Sequence, residues 1–339
     1  MKTIVSVQEI FEYDIKPPAA LKQWRDMLEV EIRTQWADRS GWIETKWPTC
    51  GSEEAIPAFE HYGIEYVESP RCGSIYASSR PSEEALWQWY RESKPARFWR
   101  EQILPACEEA RREKIIRPRA DWVLDGIAEY VPNADRLIDI SSNGRELLDI
   151  LADADPKLTS ITAAGMTADL EGGSTSRIEV RPSKIAELQM IAKADVIVAI
   201  DTLDRAADIG ALISSFEKLL SPGGVIFLTA SVASGFEIQT LWEKSKTVIP
   251  PDKLNLPTVA GLQMLFSAPG WEILELSTPG MFDVEIVRKA IEADPHLPWP
   301  RAIRALVERT DESGRLALVE LLQSRRLASF ARLVARRTN

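Results

Sequence analysis

The sequence predicts a mixed α/β fold, with a mostly parallel sheet covered by helices on both faces. Three observations carry that expectation. Between residues 131 and 235, short apolar runs alternate with stretches of helical periodicity, the pattern of parallel strands joined by crossover helices. Hydrophobic residues make up 45% of the 339-residue chain, enough for a sizeable core. The stretch Arg136 to Asp149, RLIDISSNGRELLD, reads as an apolar strand, a tight polar turn and an amphipathic helix.

The elements follow in order. Residues 1–40 form an N-terminal helical extension. An apolar run from Ile4 to Ile10 leads to Pro17-Pro18, which marks a helix start. Leu21, Trp24, Leu28, Ile32 and Trp36 give that helix one apolar face. Residues 41–80 carry WPTCGS, HYGIEYVE and SPRCGSIYASSRP, short strands punctuated by glycine and proline. Residues 81–130 are a helical linker. One helix starts at Ser82, a second runs from Ala96 through Lys114, Pro118 interrupts, and Arg119 to Tyr130 continues. Residues 131–235 form the alternating core, with RLIDI, LTSITAA, ADVIVAI and VIFLTA as strands and GRELLDILA, KIAELQMIA and IGALISSFEKLL as helices. PGG makes a turn before the last of these strands. Residues 236–339 complete the sheet with WEILELS and ARLVARR and add two helices within 301–327. In such sheets the ligand crevice lies beyond the carboxyl ends of the strands, which here means the turns after Ile140, Ile161 and Ile200.

Composition removes several function classes. The formal net charge is −10, which argues against nucleic-acid binding, since that needs clustered positive charge. Arg325, Arg326, Arg332, Arg336 and Arg337 read as a solvated end offsetting nearby glutamates. Three cysteines make no disulfide framework and suit a reducing cytoplasm. The N-terminus, MKTIVSVQEIFEYD, interrupts its apolar run with charges and is not a signal peptide. No apolar stretch is long enough to span a bilayer.

The order of elements, with SPGGVIFLT closing the core, resembles a class I S-adenosylmethionine-dependent methyltransferase, a Rossmann-like fold. More narrowly, the chain is similar to bacterial methyltransferases that carry an N-terminal zinc ribbon. Four segments carry the likeness almost end to end: the ribbon end at Tyr76 to Pro81, the linker FWREQILPACEEARREKIIRPRA, the nucleotide-binding core, and PPDKLNLPTVAGLQMLF with ELSTPGMFDVEIVR. The resemblance implies S-adenosylmethionine as cofactor and a small-molecule or sugar-type acceptor in bacterial biosynthesis. It places cofactor binding at Asp139, Ser141, Ser142, Asn143 and Gly144, and at Asp201, Thr202 and Leu203 after the fourth strand.

The departures from that family are coordinated. Its ribbon has two Cys-x-x-Cys pairs, which suit tetrahedral zinc. Here Trp47 and Ser69 replace the first member of each pair, leaving Cys50 and Cys72. The expectation is a ribbon without zinc in which Trp47 fills the lost volume. The family's Asp-x-Gly-x-Gly-x-Gly loop keeps Asp139 and Gly144 but holds Ser141, Ser142 and Asn143 between them. Asn tolerates a tight turn. The acid expected after the second strand gives way to Thr162-Ala163-Ala164-Gly165, with Asp169 several residues late. Arg205 and Lys253 stand at positions of family histidines, and neither His61 nor His296 falls in a crevice turn.

Candidate catalytic residues are Asp201, Asp204 and Lys253, and candidate substrate-binding residues are Tyr76, Arg80, Arg205, Asn255 and Asp283. Each also has an ordinary role. Asp139 and Asp283 could cap helices, and Asp204 with Arg205 could form an exposed ion pair. Two function classes stay open: a methyltransferase with a drifted cofactor loop, or a methyltransferase-fold protein that no longer methylates. The second could be a non-catalytic partner or an enzyme with different chemistry. The expected partner is a small molecule, not nucleic acid or membrane; a protein partner or homo-oligomer is left open.

Overall fold

The structure is a computed structural model. It describes residues 1–7, 10–48, 55–141 and 144–338. Seven strands form the central sheet: β1 (Arg136–Asp139), β2 (Ser160–Ala163), β3 (Ile178–Val180), β4 (Ala194–Ala199), β5 (Leu220–Ser231), β6 (Trp271–Ser277) and β7 (Phe330–Arg337). Their order is β6-β7-β5-β4-β1-β2-β3. Strands β1 to β5 are parallel, and β7 runs antiparallel between β5 and β6. The chain builds outward from β1 to β3, then crosses back to β4. The sheet is therefore Rossmann-like, with its switch point between β1 and β4.

The period of two along each strand explains why helices cover both faces. In β4, Val196 and Val198 point to one side with Leu137 and Phe227, while Ile197 and Ala199 point to the other with Ile138, Ile226 and Leu228. The first side packs on Trp122 and Val123 of the helix Arg117–Tyr130 and on Leu147 and Leu151 of Arg145–Ala154. The second packs on Leu212 and Phe216 of Ile209–Leu219. Gly126 brings the helix Arg117–Tyr130 close to the sheet, since a β-carbon there would lie 2.4 Å from the Phe227 ring.

Most predicted elements form. The first predicted helix is Pro18–Gln35, which follows a short helix at Glu12–Ile15 and buries Leu21, Trp24, Leu28 and Ile32. Ser82 caps Glu83–Glu92 by accepting from the Ala85 amide at 3.3 Å. Three expectations need correction. Pro118 does not interrupt the linker. Arg112–Ile116 is a wide turn of π-helix, and the helix runs on through Arg117–Tyr130. A widened turn accommodates the proline, which lacks the amide and would crowd a regular turn. KIAELQMIA is helical only over Ile185–Leu188, and strand β3 was not foreseen because three residues are too few for a legible alternation. The PGG turn lies within the bounds of β5, at a register shift between Leu220 and Val225.

A second sheet joins distant parts of the chain. The hairpin Ile56–His61 and Ile64–Glu68 is followed by Ile75–Ala77, and Asn255–Leu256 pairs antiparallel with that third strand. Trp47 is buried there, its ring 6.1 Å from that of Tyr76. Cys50 lies outside the described residues. The Cys72 thiol donates to the hydroxyls of Ser69 and Ser74. Among the described residues, no group of three His, Cys, Asp or Glu could hold a metal, and no helix is long and apolar enough to cross a membrane.

The Phe227 packing supports a test. Phe227→Ala should cost about 3–5 kcal/mol, because the ring fills the space between the helix Arg117–Tyr130 and the sheet. Val30→Ala, at a surface position, should change stability by less than about 0.5 kcal/mol. Thermal melts of both variants check the contrast.

Candidate functional site

The carboxyl ends of β1, β2 and β4 converge on Ser141. Its amide and hydroxyl both donate to Asp139 Oδ1, at 3.1 and 2.5 Å. The same hydroxyl accepts from the Ile200 amide at 2.8 Å. Thr202 adds a second stitch, its hydroxyl donating to the Ile140 carbonyl at 3.1 Å. Burial pushes Asp139 up to about 7, against the two Ser141 bonds that hold it down. The loops after β1 and β4 are thus tied together at the switch point.

The loops after β1 and β2 are equally close. The Ala164 amide donates to the Asp139 carbonyl at 2.7 Å, extending the ladder past the strand ends. A β-carbon on Gly165 would lie 2.0 Å from the Ser141 carbonyl, and one on Gly144 would lie 2.1 Å from Asp139 Oδ2. Ala163 and Ala164 are buried where an acid was sought. Asp169 pairs with Arg91 at 2.6 Å. Glu171 folds back and accepts from the Arg145 amide at 2.9 Å, so the protein's own carboxylate takes the start of the helix Arg145–Ala154. Ser142 and Asn143 lie outside the described residues. As placed, the described residues fit S-adenosylmethionine poorly: Ala163 and Ala164 stand where the resemblance implies an acid, and Gly165 lies against the Ser141 carbonyl.

A cavity of about 370 Å³ opens beside this closed point, beyond β4 and β5. Asp201, Ser231, Glu237, Lys253 and Asp283 reach it from the core side, and Trp24, Trp99 and Arg119 from the extension and linker. Asp201 has a left-handed backbone (φ 55°). It accepts from the Thr229 hydroxyl at 3.0 Å and stands 3.6 Å from Arg119. Burial alone would raise its pKa; Arg119, Lys253 and Arg205 outweigh that and hold it low.

Asp204 is fully buried, accepts from the Ser231 amide at 3.1 Å, and is clasped by the Lys253 ammonium. Burial pushes Asp204 up against that pull. Asp204 and Asp201 in turn hold Lys253 above its usual value despite burial, so Lys253 is a cation here, not a free amine. Arg205 instead pairs with Asp252 at 3.2 Å and lies over the Tyr90 ring. The structure therefore brings Asp201, Lys253, Arg205 and Asp283 together around one cavity, with Asp204 buried behind Lys253.

Arg80, Asn255 and Tyr76 lie away from that cavity. Arg80 is buried and donates to the Ala77, Ala206 and Leu254 carbonyls and to Asn255. Asn255 donates to the Leu203 and Ala206 carbonyls at 2.9 and 2.8 Å. The pair ties the small sheet to the helix Thr202–Arg205, where Leu203 is core. Tyr76 packs on Trp47. Asp283 accepts from the Glu237 and Ser329 amides at 3.2 and 2.9 Å and from the Ser329 hydroxyl at 2.5 Å, bracing two chain segments at the cavity wall.

Sequence reasoning passed over Glu237, Arg111, Arg119 and Arg332, all on this cavity. Glu237 in SGFEIQT looked like an ordinary helical position. Burial pushes it up to about 7, against the Ser245 hydroxyl, with Asp283 adding to the push and Thr247 opposing it. Arg332 belonged to the supposed solvated end. Arg336 does pair with Glu272 at 3.1 Å, but Arg332 reaches the cavity and Arg337 donates to the Leu220 carbonyl.

The family described as "Methyltransferase domain" matches residues 94–276, more than half of the chain. A search of curated proteins returns no match. Among solved structures, the plantazolicin methyltransferase BamL, in complex with a desmethylPZN analog and SAH, is 10% identical over 76% of this chain and 97% of its own, with a TM-score of 0.45. Coclaurine N-methyltransferase, bound to N-methylheliamine and SAH, is 12% identical over 64% and 72%, with a TM-score of 0.39. The [4+2]-cyclase SpnF is 17% identical over 64% and 80%, also at 0.39.

Glu237 makes stability depend on pH. Its pKa rises from 4.5 to about 7 on folding, so the folded state holds a proton that the unfolded chain releases. This contribution is fully present below pH 4.5 and is lost as pH rises through neutrality. Glu237→Gln should flatten that fall by up to ~1.4 kcal/mol per pH unit within the window. Melting temperatures from about pH 5 to 8 check it; an unchanged slope would mean that Glu237 is already charged at pH 5.

Proposed function

The chain belongs to the methyltransferase domain family, and on that premise we propose that it is a small-molecule methyltransferase whose acceptor sits in the cavity beyond β4 and β5. The observation that carries this reading is the cavity's position. It adjoins the switch point of the matched domain, and its wall includes Asp201, directly after β4. Within the family, the likeness of the linker and the STPG…DVEIVR segment supports a reading of the chain as kin to the bacterial subgroup with a zinc ribbon. A sugar-type acceptor, a biosynthetic role and a cytoplasmic location go with that placement.

The chain's own residues divide the work. Glu237 is buried on the cavity wall with a pKa near neutrality and is suited to take a proton from an acceptor hydroxyl or amine. Asp201 and Lys253 are held charged by their neighbours and are suited to orienting that acceptor, with Asp204 behind Lys253 as its buried partner. The resemblance assigns S-adenosylmethionine as methyl donor. For it to bind, Gly165 must part from Ser141.

The closed loops favour a second reading, in which the fold keeps its small-molecule cavity and has lost the donor. One titration separates the two. S-adenosylhomocysteine should raise the melting temperature under the first reading, equivalent to about 2.7 kcal/mol at a hundredfold excess over Kd. A flat melt and no calorimetric heat at millimolar ligand would sink methyl transfer and leave the second reading standing.

A further inference from the structure

The cavity has a charge opposite to that of the chain. Nine lysine and arginine side chains line it against four carboxylates, in a protein of formal net charge −10. Most of the nine are accounted for. Lys16 pairs with Glu12, Lys114 with Asp14, Arg205 with Asp252 and Lys253 with Asp204. Arg25 donates to the Lys246 carbonyl, and the Lys246 side chain is exposed to solvent.

Arg111, Arg119 and Arg332 stand apart. Among the described residues, no carboxylate lies within ion-pair distance of Arg111 or Arg332, and Arg119 reaches Asp201 only at 3.6 Å. Arg332 Nε is buried without a hydrogen-bond partner, and its guanidinium lies over the Trp122 ring. The acid nearest in influence, Glu275, is already taken by the Trp122 indole at 3.2 Å and the Tyr130 hydroxyl at 2.7 Å. Burial lowers the pKa of Arg111 and of Arg332, the latter to about 10, and repulsion from Arg119 lowers both further. Arg119 lines the same cavity as the other two.

The linker is shaped to make this cluster. Arg111 and Arg119 are eight residues apart, and the wide turn Arg112–Ile116 lies between them. In a regular helix, seven residues return to the same face. The extra residue of one wide turn shifts that return to eight, so both guanidiniums face the cavity. Arg332 approaches from β7. Desolvated, mutually repelling guanidiniums are costly unless an anion joins them, and their planar forks match oxyanions.

We propose that Arg111, Arg119 and Arg332 form a recognition site for a doubly charged oxyanion group, a phosphate monoester or a dicarboxylate, on the molecule that enters this cavity. The inference rests on reading the cavity as the small-molecule site, and it is independent of methyl transfer.

The test uses the full chain with inorganic phosphate and succinate as probes and acetate at matched ionic strength as control, followed by thermal shift and calorimetry without S-adenosylhomocysteine. Phosphate or succinate should bind in the millimolar range or tighter and acetate at least about tenfold more weakly. Stronger binding of phosphate assigns a phosphate ester, and stronger binding of succinate a dicarboxylate. Arg111→Gln and Arg332→Gln should each weaken the favoured probe about tenfold while leaving the empty protein as stable or more stable, because a repelling charge is removed. Arg111→Lys should keep part of the affinity. Absence of binding to the native chain, or equal binding by the Arg111→Gln/Arg332→Gln double variant, overturns the proposal. So does loss of stability in both glutamine variants without loss of affinity. A negative S-adenosylhomocysteine titration beside positive phosphate or succinate binding would remove methyl transfer and keep the site.

Discussion

One serine hydroxyl governs the centre of this molecule. Ser141 Oγ donates to Asp139 and accepts from the Ile200 amide, while the carbonyl of the same residue is covered by Gly165. Three strand ends are therefore held at hydrogen-bonding or van der Waals distance, where related folds leave a crevice. Asp139 is the cost of the arrangement: a carboxyl with almost no contact with water, kept by two donors from its neighbour. With the middle closed, the open volume lies to one side, over β4 and β5, and the extension and linker roof it. The position of the cavity, and hence of every candidate group, follows from that closure.

Two sets of buried arginines show how burial and function separate. Arg80 is surrounded by carbonyl oxygens and the Asn255 amide oxygen, so its charge is fully met within the fold. That pattern builds structure. Among the described residues, Arg111 and Arg332 are partly buried with no such partners, on a wall shared with a third guanidinium. A folded protein retains an unmet charge where something from outside meets it. The overall negative charge would repel an anion at long range, so the local field of the cavity must gather it at close range.

The layout was legible because periodicity and burial agree. ADVIVAI and VIFLTA are apolar throughout because helices cover both faces, and the helix Pro18–Gln35 announced its face through Leu21, Trp24, Leu28 and Ile32. What escaped had no local signature. β3 spans three residues. The wide turns before Pro105 and Pro118 exchange one hydrogen-bond pattern for another without altering composition. The same limit applied at the site. Asp201, Asp204 and Arg205 were singled out from their place after a strand, and the first and last of them line the cavity, while Glu237 and Arg332 owe their surroundings to neighbours distant in sequence. Arg80 and Asn255 looked like ligand-binding groups because side-chain type alone does not distinguish a substrate's oxygen from a backbone carbonyl.

The pairing of Asn255–Leu256 with Ile75–Ala77 sets an order of events during synthesis. The hairpin Ile56–His61 and Ile64–Glu68 can close as soon as it emerges, because its contacts are local. Its third strand, however, keeps one edge open until the ribosome has added roughly 180 further residues, which takes on the order of 10–40 seconds. An unpaired strand edge is a template for association with other chains. The Arg80–Asn255 knot forms only at that late step, so a chain truncated before residue 255 would carry both a bare edge and a buried guanidinium without its amide partner. The vulnerable interval for aggregation would then lie between translation of the small sheet and translation of Asn255.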